Sequence, residues 1–161
     1  MVSEKFAVLI ELSKRLAPKP ILVGGGAVEL YTAGAFVTGD IDLIGDIQRI
    51  GDTLEEMGFV RDGKHFVKGK VFIEVVAPDT SMRSDEIALK GKELDGIVRV
   101  VSIEDLIVDR LCACKWWRSA TDCEQARYLI GVYLDRCDRK YLGERARKEE
   151  VHDMLTEIAD E

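Results

Sequence analysis

The sequence predicts an α+β fold, a mixed β-sheet backed by helices with a helical C-terminal part, and three observations carry that expectation. Short runs of β-branched and aromatic residues, punctuated by glycine pairs with Asp or Lys, are concentrated before residue 102. Helical patterns take over after it. Near the start, the apolar run Ile21–Val23 passes through three glycines into Ala27–Tyr31, a strand, a tight turn and a helix. Strands gathered early and helices late are the mark of an α+β domain. Residues 1–101 are therefore expected to form an α/β core, with residues 102–161 as a helical part packed on it within one domain.

The elements follow in order. Phe6, Leu9, Ile10, Leu12 and Leu16 recur at helical spacing, with Ser3 as N-cap and Pro18 just beyond the end. Asp40–Ile44 reads as a second strand. Asp46 is placed to cap a helix from Ile47 to Met57, in which Ile47, Ile50, Leu54 and Met57 share a face and Gly58 supplies the stop. GFVRDGKHFVKGKVFIEVVAP reads as a hairpin or meander turning at Asp62-Gly63 and Lys68-Gly69, its last strand being Val71–Ala77. Residues 79–94 read as a loop, after which Asp95-Gly96 turns into the strand Ile97–Val101. Ser102 with Asp105 makes a capping box, Ser119 with Asp122 marks another helix start, and a last helix spans Asp138–Ile158.

Composition narrows the class. With 161 residues and 47% hydrophobic content the chain is long enough to bury a substantial core, and it shows no repeat or low-complexity block. Its N-terminus mixes acid and base without a long apolar run, so the expectation is a cytoplasmic protein with no membrane partner. In that compartment Cys112, Cys114, Cys123 and Cys137 are expected as reduced, small core residues. Zinc on Cys112, Cys114 and Cys123 is disfavoured, because residues two apart on a helix point about 200° apart. A net charge of −7 argues against broad attraction to long nucleic acid. A charged fraction of 33%, no asparagine and glutamine only at Gln48 and Gln125 suit a heat-adapted, thermophile source.

Two features stand apart as chemistry. Glycines between a strand and a helix let the backbone approach a ligand, and a helix N-terminus offers unpaired N–H groups and partial positive charge, which together make a phosphate cradle. A tight turn with no ligand is the alternative. Asp40 and Asp42, two apart on a strand, point to one face while Ile41 and Leu43 face the core. Glu74 is likewise an acid within the apolar strand Phe72–Val76. Three carboxylates on one face repel unless positive charge lies between them, and two magnesium ions would supply it. An exposed acidic strand face is the bland alternative.

The order GG, helix, T-x-DID-L and a later strand acid resembles the nucleotidyltransferase superfamily of polymerase-β type, particularly its small single-domain minimal and toxin-like members. VGGGAVELYTAGAFVTGDIDL is similar to that family's opening motif, and VVSIEDLIVDRLCACKWWRSATDCEQA to its following helices. The resemblance implies an Mg-dependent transfer of a nucleoside monophosphate from an NTP such as ATP to an acceptor hydroxyl on a protein, a tRNA or a small molecule. It implies that Asp40, Asp42 and Glu74 bind metal and catalyse, and that Gly24, Gly25, Gly26 and Thr38 bind nucleotide. Arg110, Lys115, Arg118 and Asp122 complete the nucleotide-binding set, although Arg110 stands where relatives carry Lys and Gln125 where many carry an acid. An antitoxin partner and a homodimer are further associations it admits. The reading from a different class is a noncatalytic nucleotide-binding or interaction module of the same fold, acting with a partner protein. Trp116 and Trp117 read as core or interface residues, and His65 and His152 carry no assigned role.

Overall fold

The computed structural model describes residues 3–77, 81–90 and 95–161. It divides into two units, Met1–Ala27 with Val37–Val101, and Val28–Phe36 with Ser102–Glu161. Among the described residues the first unit holds a seven-stranded mixed sheet. Its elements are α1 (Glu4–Arg15), β1 (Ile21–Val23), the start of α2 (Gly24–Tyr31), β2 (Asp40–Ile44), α3 (Ile47–Glu56), β3 (Val60–Asp62), β4 (His65–Lys68), β5 (Val71–Val76), β6 (Ser84–Leu89) and β7 (Gly96–Val101). Strand order is β3-β4-β5-β2-β1-β7-β6. β3, β4 and β5 form the expected antiparallel meander, β5 runs parallel to β2, β1 is antiparallel to β2 and parallel to β7, and β6 closes the far edge.

Strand alternation divides this sheet into two unlike faces. Leu22, Ile41, Leu43, Ile73, Val98 and Val100 are buried on one, where α1 packs on β7 and α3 on β3 and β5. Leu9, Ile10 and Leu12 of α1 and Ile50 and Leu54 of α3 complete that core. The approach of α1 is so close that a Cβ on Gly96 would lie 2.4 Å from Ile10 Cγ2, so only glycine fits at the head of β7. Asp46 caps α3 through the N–H groups of Gln48 and Arg49, as its position before the apolar pattern predicts. Ser3 precedes α1 without a side-chain cap bond, and Ile47 is half exposed instead of joining the buried face of α3.

The stretch expected as a loop contains β6. None of its six residues, SDEIAL, is buried, and among the described residues they pair on one side only, with β7. Acids on an edge strand mask the β pattern and also discourage pairing with another chain. Residues 78–80 and 91–94 of the predicted loop lie outside the described residues.

The second unit holds α4 (Ile103–Trp117), α5 (Ala120–Tyr133), α6 (Arg139–Lys148) and α7 (His152–Ala159), together with the last turn of α2. Ser102 and Ser119 accept from the Asp105 and Asp122 N–H groups at the heads of α4 and α5, as the capping patterns predict. The single helix expected over Asp138–Ile158 is broken. Glu150 takes φ 61°, and Val151 is fully buried with its N–H bonded to the Ala146 carbonyl at 2.8 Å. Burial of Val151 turns the chain there, a tertiary demand with no glycine or proline to announce it. Asp105 is buried within this unit. Its carboxylate accepts from Ser102 Oγ at 2.7 Å, Tyr141 Oη at 2.8 Å and Arg145 Nε at 2.9 Å.

The cysteines depart from expectation. Cys114 in α4 and Cys123 in α5 form a disulfide, with Cα atoms 4.7 Å apart, while Cys112 and Cys137 are free. A reducing compartment bears on redox poise and leaves the geometry of the pair open. The turn at Arg118 folds α5 back on α4, which brings two residues nine apart in sequence side by side. Burial raises the Cys112 thiol pKa, aided by Glu149 and Asp109, and burial raises that of Cys137. Trp116 and Trp117 are both exposed, so neither enters the core.

Candidate active site

The acidic pair lies where β2 begins, and pairing with β5 decides its neighbours. Asp40 stands opposite Phe72, Ile41 opposite Ile73 and Asp42 opposite Glu74. Residues in register on adjacent strands share a face. Asp40, Asp42 and Glu74 therefore project from the face opposite the buried Ile41, Leu43 and Ile73. Asp40 is exposed, and Asp42 and Glu74 are half buried.

The glycines meet this face from β1. Gly24 follows Val23, which pairs with Asp42, and takes φ +63°. A Cβ there would stand 2.8 Å from Asp42 Oδ2. Gly24 is thus required twice, for the left-handed backbone and for the carboxylate packed against it. No separate turn intervenes, because all three glycines belong to α2, whose first turn presents its N–H groups directly after β1. Gly25 faces Thr38, whose Oγ1 would lie 2.8 Å from an added Cβ, and Gly26 packs on Leu22. Lys5 of α1 donates to the Thr38 carbonyl and ties down the segment leading to Asp40.

Two neighbours of Glu74 were missed in the sequence. His65 of β4 is its antiparallel register partner, and its ring meets Phe72 edge-on at 6.3 Å. Lys64 Nζ lies 3.7 Å from Glu74 Oε1. Counting back across the Lys68-Gly69 turn would have placed His65 opposite Glu74, with Lys64 next to it in the chain, since hairpin register follows from the turn.

The second-half candidates lie on the helical unit. Arg110 Nη1 donates to Asp122 Oδ1 at 2.9 Å and to Gln125 Oε1 at 3.3 Å, and its guanidinium also pairs with Asp109. Gln125, in place of an acid, thus serves as a neutral acceptor for Arg110. Lys115 donates to the Glu150 carbonyl at 2.6 Å and to Asp153 Oδ1 at 3.3 Å, which ties α4 to α7. The Met154 N–H and Lys115 hold the Asp153 carboxyl below its ordinary pKa. Arg118 is exposed at the α4 C-cap with φ 53°.

A metal would find suitable donors on the sheet. Hard carboxylate oxygens on one strand face are the ligand type magnesium takes. Among the described residues, no group of three or more His, Cys, Asp or Glu is drawn round a common point as the side chains stand.

Residues 1–158 match the model of a family described as nucleotidyltransferase of unknown function, DUF6036. The chain belongs to this nucleotidyltransferase family. Solved structures agree on the fold. An antigenic nucleotidyltransferase-like protein from Paracoccidioides brasiliensis is similar at TM-score 0.60 and 15% identity, over 99% of this chain and 94% of that one. The crystal structure of ANT(2'')-Ia in complex with adenylyl-2''-tobramycin is similar at TM-score 0.55 and 14% identity, over 90% of this chain and 97% of that one. The solution structure of the antibiotic-resistance factor ANT(2'')-Ia gives 0.55 and 15%, over 97% of each chain. Comparison with curated proteins finds no match. Among the described residues of this nucleotidyltransferase, no helix is long and apolar enough to cross a membrane.

Proposed function

We propose that this nucleotidyltransferase moves a nucleoside monophosphate from an NTP to an acceptor hydroxyl, with Asp40, Asp42 and Glu74 as its catalytic acids. The observation that supports this most is the register Asp42 to Glu74, with Asp40 two residues before and Gly24 against the Asp42 carboxylate. Gly24, Gly25 and Gly26 offer the first N–H groups of α2 to the triphosphate, and Thr38 flanks them. Glu74 is the base positioned to take the acceptor proton. Asp40, Asp42 and Glu74 would hold two magnesium ions, whose chemistry is charge neutralisation and a lowered pKa for the acceptor hydroxyl.

On the helical unit we assign nucleotide contact to Arg110, oriented by Asp122, and to Arg118. Lys115 is engaged with α7 and we assign it to structure. ATP and a small polyhydroxylated acceptor come first, since ANT(2'')-Ia holds an adenylylated tobramycin and a net charge of −7 favours a cationic acceptor over RNA. A cytoplasmic setting fits such substrates.

The ion pair of Lys64 with Glu74 favours a second reading, a noncatalytic nucleotide-binding module in which a lysine neutralises the third acid. Calorimetry with ATP separates the two. Binding that strengthens with magnesium supports transfer, and binding indifferent to the metal supports the module.

A further inference from the structure

At the end of β1 and β2 remote from the glycines, where Ile21 begins one strand and Ile44 ends the other, lies a cleft of about 110 Å³. Ile44 and Ile50 line its apolar part, and Lys19, Arg49 and Arg99 bring three cations to it. Asp46 is the acid in its wall, and that carboxylate already accepts from the Gln48 and Arg49 N–H groups as the cap of α3. Lys19 pairs with Glu86 at 3.4 Å, and Arg49 Nη1 donates to the Ala17 carbonyl at 3.1 Å. Arg99 is different. It sits in β7 between Ile21 and Glu86, and its Nε is buried with no acceptor among the described residues.

A buried guanidinium N–H without an acceptor is costly, and a charged one more so. Lys19, Arg49 and Arg99 outnumber Glu86 and Asp46, so the cleft keeps an excess of positive charge that an anion would neutralise. The guanidinium fork suits an oxyanion, to which it donates two parallel bonds. At about 110 Å³ the cleft has room for one tetrahedral oxyanion. In a chain of net charge −7 such a local excess of positive charge is a specific feature.

We propose that this cleft binds a single phosphate group through Arg99, with Lys19 and Arg49 as flanking cations, at a site separate from the candidate active site. The group is either inorganic phosphate or the terminal phosphate monoester of a larger molecule. The test is a nitrogen-15 NMR titration of the full chain, without magnesium and at constant ionic strength. Inorganic phosphate is expected to move the Arg99 Nε–H resonance and the Gly45 and Asp46 amides along one saturable curve, which chloride does not reproduce. Arg99→Gln should weaken that curve about tenfold, a loss equal to about 1.4 kcal/mol. Arg49→Gln, which leaves the sheet untouched, should weaken it too and guards against misfolding of the first variant. A 5′-phosphorylated oligonucleotide saturating well below inorganic phosphate identifies a nucleic-acid end as the source, and equal or weaker binding identifies the free ion. Linear, unsaturable shifts, shifts confined to Gly24–Asp42, or curves unchanged in both variants overturn the proposal.

Discussion

Placing an alanine at Gly24 tests the junction between backbone and site most sharply. The φ of +63° puts this residue in the left-handed region, where a side chain costs about 1–2 kcal/mol. The new Cβ also meets Asp42 Oδ2 at 2.8 Å, so the carboxylate must turn away. For a chain of this length each kcal/mol lowers Tm by about 2–4 °C, giving an expected fall of roughly 2–8 °C. Displacing Asp42 is expected to weaken magnesium-dependent ATP binding by at least about tenfold, or 1.4 kcal/mol. Gly25→Ala is the comparison for backbone strain alone, because Gly25 has no positive φ and its variant should escape the left-handed penalty on Tm, while its ATP affinity reports on the proposed cradle. Its Cβ meets Thr38 Oγ1 at 2.8 Å, so Thr38 shifts while Asp42 stays. Differential scanning calorimetry and ATP titration on both variants give the answer. A Gly24→Ala protein with wild-type Tm and affinity would refute the reasoning.

Other substitutions probe separate links. Asp42→Asn should abolish transfer while leaving Tm equal or higher, since it removes one of several like charges on a strand face; measured unfolding would mean the acid is structural. Arg145→Ala removes a cation paired with the buried Asp105 carboxylate and should cost about 3–5 kcal/mol in denaturant unfolding, whereas the Arg145→Met, Asp105→Leu pair should cost less. Thiol titration of the denatured, unreduced chain should find Cys112 and Cys137 reactive and Cys114 and Cys123 protected, and four reactive thiols would contradict the disulfide. Because the folded Asp153 pKa is lowered, its contribution is present above the ordinary carboxylate range and lost as pH falls through the folded value. The Tm difference between wild type and Asp153→Asn should accordingly shrink on acidification, and a difference that grows would reverse the assignment.

Much of the sheet unit was legible because its signals are local. Alternation in DIDLI and the turns at Gly63 and Gly69 determine which residues face the core, and Asp46 caps as its position requires. Pairing was less legible. That Glu74 lies beside Asp42 depends on a parallel register set by a crossover through α3 and the meander, and periodicity within one strand carries no such information. β6 stayed hidden because charged residues on an edge strand resemble a loop. The break at Glu150 and the Cys114–Cys123 pair arise from tertiary packing, where a buried Val151 and the antiparallel return of α5 override the local pattern. Lys64 and His65 escaped notice because their relevance comes from the strand across from them.

The most direct test of the central claim is transfer of label from an α-labelled NTP. Wild-type protein, magnesium and each of the four NTPs are incubated in turn with polyhydroxylated small molecules, RNA and cell lysate. Product is compared with that of Asp42→Asn. Incorporation of labelled nucleoside monophosphate that needs magnesium and disappears in the variant is the predicted result. Label transferred equally well by Asp42→Asn, or no transfer by a folded wild type that binds ATP without regard to magnesium, would contradict it.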